Sequence, residues 1–241
     1  MREAKIHLHP SGSLVALVGN PNCGKTALFN LLTGSHQKVA NYAGVTVERK
    51  EGKVIQPNGK QLRLLDLPGT YSLYPRSQDE RVTCNVLLGR AEGEKRPDLV
   101  LCILSAMNLR RNLRLVLAAK RLGLPCVVVL NMLDIAKRQG LHIDTVALSK
   151  ELGLPVITSI GIESSGADGI KQYLSALDWR HLQQIPVSAD DAQLENVASH
   201  IAHAESDNIQ VQRILQNLGL DQIIPDHFSD RLDSVLLHPV F

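Results

Sequence analysis

The sequence predicts an α/β fold, in which a mixed, mostly parallel sheet is flanked by helices and followed by a small all-helical domain. Two observations support this prediction. Over most of the chain, short and nearly continuous apolar runs, typical of strands buried on both faces, alternate with amphipathic segments of helical period. Beyond Pro186 the apolar residues follow the helical period alone. We therefore expect a larger domain over residues 1–182 and a helical domain over residues 183–241.

The strands and helices of the larger domain follow in order along the chain. A strand over residues 14–18 leads into a helix near Lys25, and residues 34–43 are expected to be irregular. Pro57-Asn58-Gly59 then signals a hairpin turn between strands over residues 45–56 and 60–65. Later strands are expected at residues 99–104, 126–130 and 156–158, and later helices at residues 79–88, 109–122, 143–152 and 166–177.

The C-terminal part is expected to contain three short helices. Their apolar stripes are Leu194, Val197, Ala198 and Ile201 in the first and Val211, Ile214, Leu215 and Leu218 in the second, with a third helix over residues 229–237. Such helices are marginal alone and are expected to pack on one another and on the larger domain. The formal net charge is only +2, but Lys and Arg are in excess before residue 186 and Asp and Glu after it. This shift indicates either an acidic unit docked on a basic domain or two solvated surfaces of different composition.

The composition argues against several classes of protein. An aromatic content of 3% leaves few rings to stack on bases, so single-stranded nucleic acid is an unsuitable ligand. The four cysteines show no C-x-x-C spacing and are expected to be reduced thiols in a cytosolic compartment. No window of about twenty apolar residues exists, and the first ten residues are too polar for a secretory signal. The chain is therefore expected to be soluble.

The strongest motif lies between the first predicted strand and the first predicted helix. It fits the phosphate-loop pattern G-x-x-x-x-G-K-[ST] and consists of Gly19-Asn20-Pro21-Asn22-Cys23-Gly24-Lys25-Thr26, with Ala27 next in the helix. Backbone N–H groups around Gly24 can surround phosphates, Lys25 can add a positive charge, and the Thr26 hydroxyl can ligate Mg²⁺. The motif predicts binding of a nucleoside di- or triphosphate, but it does not distinguish ATP from GTP.

A second motif, at the end of the strand over residues 126–130, predicts guanine. It is Asn131-Met132-Leu133-Asp134, with the spacing Asn-x-x-Asp. The Asp134 carboxylate can accept hydrogen bonds from the ring N–H and the exocyclic amine of guanine, which adenine does not offer in that arrangement, and Asn131 would brace the loop. After the next strand, a backbone N–H of Ser159-Ile160-Gly161 can meet the guanine oxygen.

A third group of residues can sense the γ-phosphate. The Thr46 hydroxyl, in Gly44-Val45-Thr46, can reach Mg²⁺ when a triphosphate is bound, although without the other motifs an ordinary β-branched strand residue is the favoured interpretation of Thr46. Asp66 can hold a Mg²⁺-bound water, and the Gly69 N–H, after Pro68, can donate to the γ-phosphate. We therefore expect residues 35–46 and 69–80 to form switch loops that are ordered by a triphosphate and released on hydrolysis.

Together these motifs closely resemble the cytosolic G-protein part of ferrous iron transport protein B (FeoB), a bacterial family. The matching runs are the phosphate loop, Gly44-Val45-Thr46-Val47-Glu48-Arg49-Lys50-Glu51-Gly52, Asp66-Leu67-Pro68-Gly69-Thr70-Tyr71-Ser72-Leu73 and Asn131-Met132-Leu133-Asp134-Ile135-Ala136. The resemblance is strong over residues 13–180 and looser from residue 186 onward, where the family has a helical domain likened to a dissociation inhibitor.

The resemblance carries expectations about fold and function. It implies a small G-protein-like P-loop NTPase that binds GTP and GDP with Mg²⁺, hydrolyses GTP, and acts as the switch domain of a ferrous iron transporter at the cytoplasmic face of the bacterial inner membrane. Residues 233–241 resemble the lead-in to that transporter's membrane region. The implied partners are this membrane region of the same polypeptide, small cytosolic Feo proteins and a second copy of the chain, without nucleic acid.

Two departures from the small regulatory G proteins bear on the mechanism. Those proteins have a glutamine after Asp-x-x-Gly that orients water, whereas this chain has Thr70 followed by Tyr71, so intrinsic hydrolysis should be slow. In FeoB-like proteins the residue matching Asn22 coordinates K⁺ beside the β- and γ-phosphates, where the cation can neutralise transition-state charge. Asn22 could otherwise be a turn residue. The expected catalytic residues are Asn22, Lys25, Thr46 and Gly69.

An alternative function is a cytosolic K⁺-activated GTPase that acts on ribosome assembly or tRNA modification. Such proteins share the phosphate loop and the Asp-Leu-Pro-Gly type of motif, but they usually carry basic RNA-binding extensions, whereas this tail is acidic. No iron site is assigned from the sequence. His200 and His203 lie one helical turn apart with Glu205 and Asp207 nearby, which is as easily a solvated helix face.

Overall fold

The computed structural model describes residues 12–56, 59–75, 77–160, 163, 165–183 and 197–221. Seven strands lie in this part of the chain: β1 (Leu14–Gly19), β2 (Gln37–Asn41), β3 (Glu48–Ile55), β4 (Gln61–Asp66), β5 (Leu99–Ser105), β6 (Cys126–Asn131) and β7 (Val156–Ser159). The helices there are α1 (Lys25–Thr33), α2 (Gln78–Leu88), α3 (Leu109–Arg121), α4 (Leu133–Arg138), α5 (Thr145–Leu152), α6 (Asp168–Ala176), α7 (Trp179–Gln183) and α8 (Val197–Asn217).

The strands form one sheet in the order β2-β3-β4-β1-β5-β6-β7. Strands β4, β1, β5, β6 and β7 are parallel, whereas β2 and β3 add an antiparallel edge. The register places Asp66 beside Leu17, and it places Asn131 beside both Ser105 and Ser159. Because parallel strands end at the same edge, the motif residues that follow β1, β4, β6 and β7 come together there. The predicted mixed, mostly parallel sheet with flanking helices is confirmed.

A hydrophobic core lies on each face of the sheet. Alternate residues of β1 face opposite sides, with Ala16 in one core and Leu17 in the other, and both are fully buried. Leu28 of α1 and Ile170 of α6 cover the second face. Helices α2, α3 and α5 cover the first face, and Leu113 of α3 is one of the side chains that they bury in its core. The continuous apolar runs predicted as strands are therefore buried on both sides.

Several elements differ from the sequence prediction. Residues 37–41, expected to be irregular, form β2, and all five side chains are exposed, so no apolar period marks this edge strand. The next strand begins at Glu48 rather than at residue 45, because residues 42–47 form a tight turn. The short helices α4 and α7 had no predicted counterpart. Short elements carry too few residues to show a clear period.

The C-terminal part also differs from the prediction. Residues 197, 198 and 201 of the first predicted stripe and residues 211, 214 and 215 of the second lie on one helix, α8, because no Gly or Pro interrupts residues 197–217. Leu194 and the third helix, over residues 229–237, lie outside the described residues. Helix α8 packs on α3 and α5 and buries Val211 and Ile214 in the core of the larger domain. None of the helices within the described residues has the length and apolar character needed to cross a bilayer.

Candidate functional site

The phosphate loop connects β1 to α1 in a conformation that needs glycine at two positions. Gly24 has a φ of 85°, and a Cβ there would lie 2.2 Å from Nδ2 of Asn131. A Cβ at Gly19 would lie 2.6 Å from Sγ of Cys23 and 2.8 Å from the carbonyl oxygen of Ile103. The loop backbone is thus closely packed at both glycines. Its N–H groups lie at the start of α1, which is the arrangement that binds phosphate oxygens.

Lys25, the first residue of α1, meets Asp66, the last residue of β4. The Lys25 ammonium forms an ion pair with the Asp66 carboxylate, and both residues are buried. Thr26 follows on the first turn of α1 with an exposed side chain. This part of the site therefore combines one cation with carboxylate and hydroxyl oxygens, which are the ligands that Mg²⁺ prefers.

The predicted guanine loop is attached directly to the phosphate loop. Asn131 ends β6, is buried, and donates a hydrogen bond of 3.0 Å from Nδ2 to the carbonyl oxygen of Cys23. Met132 has a φ of 63°, which turns the chain sharply into α4. Asp134 lies in the first turn of that helix and is half-buried. The structure thus places Asp134 at the same strand-end edge as the phosphate loop.

Ser159 and Ile160 lie beside this loop. Ser159 is buried opposite Asn131 at the end of β7, and its hydroxyl donates a hydrogen bond of 2.7 Å to the carbonyl oxygen of Gly166. Ile160 follows with a half-buried side chain, whereas Gly161 lies outside the described residues. Residues 159 and 160 are therefore at the edge where the sequence predicted a contact to the base.

Thr46 is brought to the phosphate loop by the tight turn over residues 42–47, which we call the Tyr42 turn. The Tyr42 N–H donates to the carbonyl oxygen of Val47 at 3.0 Å, the Val45 N–H donates back to Tyr42 at 3.3 Å, and Gly44 has a φ of 75°. Tyr42 is buried, so its ring anchors the turn. Thr46 lies with Lys25, Thr26, Asp66, Pro68 and Gly69 around a cleft of about 420 Å³.

Gly69 and Thr70 are held against the phosphate loop. A Cβ at Gly69 would lie 3.3 Å from Cγ of Pro21, and the Thr70 N–H donates to the carbonyl oxygen of Gly19 at 3.1 Å. The Thr70 side chain is buried and donates a hydrogen bond of 2.6 Å to the carbonyl oxygen of Ser72. Thr70 thus points into the protein and is not among the residues that line the cleft.

Three further residues of the phosphate loop differ in environment. Asn20 is buried, and neither atom of its side-chain amide has a hydrogen-bond partner among the described residues. Asn22 has an exposed side chain and a φ of 63°. Burial raises the pKa of Cys23 to about 11, so its thiol stays protonated at neutral pH. The unpaired amide of Asn20 and the close glycines are features that suit a bound polar ligand.

Sequence reasoning missed two groups of charged side chains beside this site. One is a buried network in which the Glu94 carboxylate contacts Arg49 and Arg63, and Arg63 also pairs with Glu51 at 2.9 Å. The network joins the start of β3, just after Thr46, to the segment between α2 and β5. No sequence motif marks it, because its members lie up to 45 residues apart.

The second group links the loop after Gly69 to α8. Arg121 on α3 contacts both the Tyr74 hydroxyl and the Asp207 carboxylate, and the Tyr74 ring stacks on His203 at 6.4 Å between centroids. His203 and Asp207 therefore contact Tyr74 and Arg121, respectively. The side chain of His200 lies outside the described part of the structure. Helix α8 is therefore in direct contact with the second predicted switch loop.

Comparison with known proteins assigns the family. The family described as ferrous iron transport protein B matches residues 13–174. The Fe(2+) transporter FeoB of Escherichia coli K12 is 48% identical over 161 residues, which are 65% of this chain and 20% of the relative. The chain therefore spans about a fifth of the length of that relative.

Solved structures agree with this match. The cytosolic domain of the T. maritima FeoB iron transporter in GDP form I has a TM-score of 0.70 and 27% identity, covering 86% of this chain and 97% of that one. The GMPPNP form of the same domain has a TM-score of 0.70 and 26% identity, covering 86% and 98%. Since the family match spans well over half of its residues, this chain belongs to the ferrous iron transport protein B family.

Proposed function

We propose that this chain is the GTP-binding and GTP-hydrolysing switch domain of a ferrous iron transporter. One observation carries the proposal, which is the hydrogen bond from Asn131 to the carbonyl oxygen of Cys23. It holds the loop of Asp134 against the loop of Lys25, so that a single nucleotide can contact both. The T. maritima domain is known in a GDP form and a GMPPNP form, which supports a guanine nucleotide as the ligand.

Base recognition is assigned to residues at the ends of β6 and β7. The Asp134 carboxylate accepts hydrogen bonds from the ring N–H and the exocyclic amine of guanine. Asn131 and Met132 hold the loop in place, and a backbone N–H of Ser159, Ile160 or Gly161 donates to the guanine oxygen. An adenine in the same position would leave the Asp134 carboxylate without a donor at the ring nitrogen, which explains the expected selectivity.

The phosphates are assigned to the loop from Gly19 to Thr26. Its backbone N–H groups, including that of Ala27, and the Lys25 ammonium bind the phosphate oxygens, and the Gly69 N–H contacts the γ-phosphate. Thr26, Thr46 and, through water, Asp66 would hold Mg²⁺, which neutralises phosphate charge when it is bound. The oxygen ligands around the cleft and the unpaired amide of Asn20 fit such an occupant.

Hydrolysis is expected to be slow without a further cation. Thr70 is turned inward onto the carbonyl oxygen of Ser72, so no side chain at this position orients the attacking water. The exposed amide of Asn22 lies on the phosphate loop and is assigned to K⁺, which would offset charge that develops on the phosphates. The proposed catalytic residues are therefore Asn22, Lys25, Thr46 and Gly69.

The wider role follows from the relative's name and length. The E. coli relative is called an Fe(2+) transporter and is about five times as long as the matched segment. We therefore assign the chain to the cytoplasmic face of a bacterial inner membrane, with a GTP-binding domain over residues 1–182, a helical domain over residues 183–241, and a transport region in the same polypeptide. Small cytosolic Feo proteins and a second copy of the chain are further proposed partners.

One hydrolysis panel tests the proposal. Phosphate release is measured with GTP, ATP and XTP for the unaltered chain and Asp134→Asn, each in KCl and in NaCl. The unaltered chain should prefer GTP, whereas Asp134→Asn should prefer XTP, because xanthine has a carbonyl where guanine has its amine. The proposal is wrong if ATP is turned over as fast as GTP.

The same panel tests the cation. Asn22→Ala should lose the stimulation by KCl, whereas Asn208→Ala, at an exposed position on α8, should keep it. Equal rates in the two salts for the unaltered chain would remove the K⁺ assignment but leave guanine selectivity in place.

A further inference from the structure

A second cavity, of about 510 Å³, lies beside the cleft lined by Lys25, Thr46 and Asp66. One wall is the Tyr42 turn, through Tyr42, Ala43 and Val45, and the opposite wall is α2, through Arg81 and Asn85. We call this cavity the switch pocket. Its volume lies in the range of about 300–1,000 Å³ that is usual for small-molecule sites.

The lining of the switch pocket is amphipathic. Val45, Val82 and Ala91 supply apolar surface, and Asn85 and Gln78 supply amide groups. Three charged side chains complete the lining, those of Arg81, Arg90 and Glu92. The exposed Arg81 guanidinium can pair with an anionic group of a ligand whose apolar body contacts the rest of the pocket.

Tyr42 lines the pocket, but its hydroxyl is buried inside the protein. It is 6% exposed, and its hydroxyl has no hydrogen-bond partner among the described residues. A buried hydroxyl without a partner costs about 1–3 kcal/mol. The Tyr42 turn therefore carries an energetic cost in this position.

The pocket shares its walls with the nucleotide cleft. On the Tyr42 turn, Val45 lines the pocket while the next residue, Thr46, lines the cleft. Gln78, at the start of α2, lines both cavities. A ligand that fixes the Tyr42 turn against α2 would therefore also fix the position of Thr46.

We propose that the switch pocket is a regulatory site for a small amphipathic anion, with an aromatic or aliphatic body and a single carboxylate or sulfonate group, whose binding is coupled to the nucleotide cleft. The coupling rests on the proposed role of Thr46, whereas the binding itself does not. Coupling is reciprocal: a nucleotide that changes the affinity of the anion has its own affinity changed by the same factor.

The binding is tested with 8-anilinonaphthalene-1-sulfonate, an aromatic sulfonate whose fluorescence rises in an apolar site. Titration of the 241-residue chain should show one saturable site. Ala91→Phe should abolish it by filling the pocket, and Arg81→Gln should weaken it about tenfold. Arg180→Gln, an exposed arginine on α7, is the matched control and should bind like the unaltered chain.

A neutral probe separates charge from shape. N-phenyl-1-naphthylamine has a similar apolar body without the sulfonate, so its binding should be lost in Ala91→Phe but unchanged in Arg81→Gln. Since Arg81 is exposed, Arg81→Gln is expected to fold normally even if Ala91→Phe does not. The site is disproved if the sulfonate binds equally to the unaltered chain, Ala91→Phe and Arg81→Gln.

The coupling is tested by repeating the sulfonate titration with GDP and with GMPPNP. We expect dissociation constants that differ by at least about fivefold between the two nucleotides. Equal constants would overturn the coupling. If instead the chain binds neither nucleotide, the proposed function fails, while the probe titration without nucleotide still decides whether the pocket is a site.

Discussion

Asn131 donates a hydrogen bond of 3.0 Å from its side-chain amide to the carbonyl oxygen of Cys23, across 108 positions of sequence. Asn131→Ala should weaken GDP binding about tenfold, because a lost buried hydrogen bond costs about 1–3 kcal/mol and both loops become looser. The dissociation constant of a fluorescent GDP measures this effect. Asn217→Ala, which removes an exposed amide that contacts Glu151 at 3.0 Å, is the control. Unchanged affinity in Asn131→Ala would contradict the bracing role.

Gly24→Ala should abolish nucleotide binding. Its φ of 85° and a Cβ only 2.2 Å from Asn131 mean that the substitution strains the backbone and displaces the amide that braces the loop. Gly59→Ala is a matched control, since Gly59 has a φ of 77° but no atom within 4 Å of the added Cβ. It should lower the melting temperature slightly and leave GDP affinity as it is. Similar affinity losses in the two variants would show that strain alone is responsible.

Glu94→Ala should destabilise the fold strongly. The Glu94 side chain is 1% exposed and lies between Arg49 and Arg63, so its removal leaves two partly buried guanidinium groups without this carboxylate. The expected loss is about 3–5 kcal/mol in the free energy of unfolding by urea. Glu48→Ala, whose side chain is 61% exposed and pairs with Lys50, should change it by less than about 1 kcal/mol. Equal losses of unfolding free energy in the two variants would mean that the buried ion pairs of Glu94 stabilise the fold no more than an exposed pair does.

Arg121→Ala should loosen α8 in a pH-dependent way. Burial raises the pKa of Asp207 above its usual value, and Arg121 opposes this rise, so loss of Arg121 raises the pKa further. A carboxyl with a raised pKa in the folded state loses its stabilising effect as pH rises through that pKa. The decrease in the free energy of unfolding should therefore be larger at pH 7 than at pH 4.

Asp207→Asn provides the control for this prediction. Combined with Arg121→Ala, it should reduce the difference between the two pH values, because the titrating carboxyl is gone. If Arg121→Ala changes stability equally at both pH values with and without Asp207, the ion pair does not link α3 to α8.

The sequence predicted the central sheet well because its signals are local. The apolar runs of β1, β5 and β6 are buried on both faces, and the predicted strands lie within a residue or two of the observed ones. Strand β2 was missed, since its five exposed residues have no apolar period, and α8 was predicted as two helices because its stripes were considered separately. The position of β2 depends on its pairing with β3, and that of α8 on its packing against α3 and α5, rather than on a pattern in their own residues.

The sequence by itself determined the phosphate-loop pattern, the Asn131 and Asp134 spacing and the alternation of strands and helices, because each depends on residues close together in the chain. Only the tertiary structure decided the Arg49 and Glu94 contact, the link from Arg121 to Asp207, and the switch pocket. These features join residues 45 or 86 positions apart. Which of many polar side chains meet at such distances depends on strand register and helix packing, for which a linear pattern has no signal.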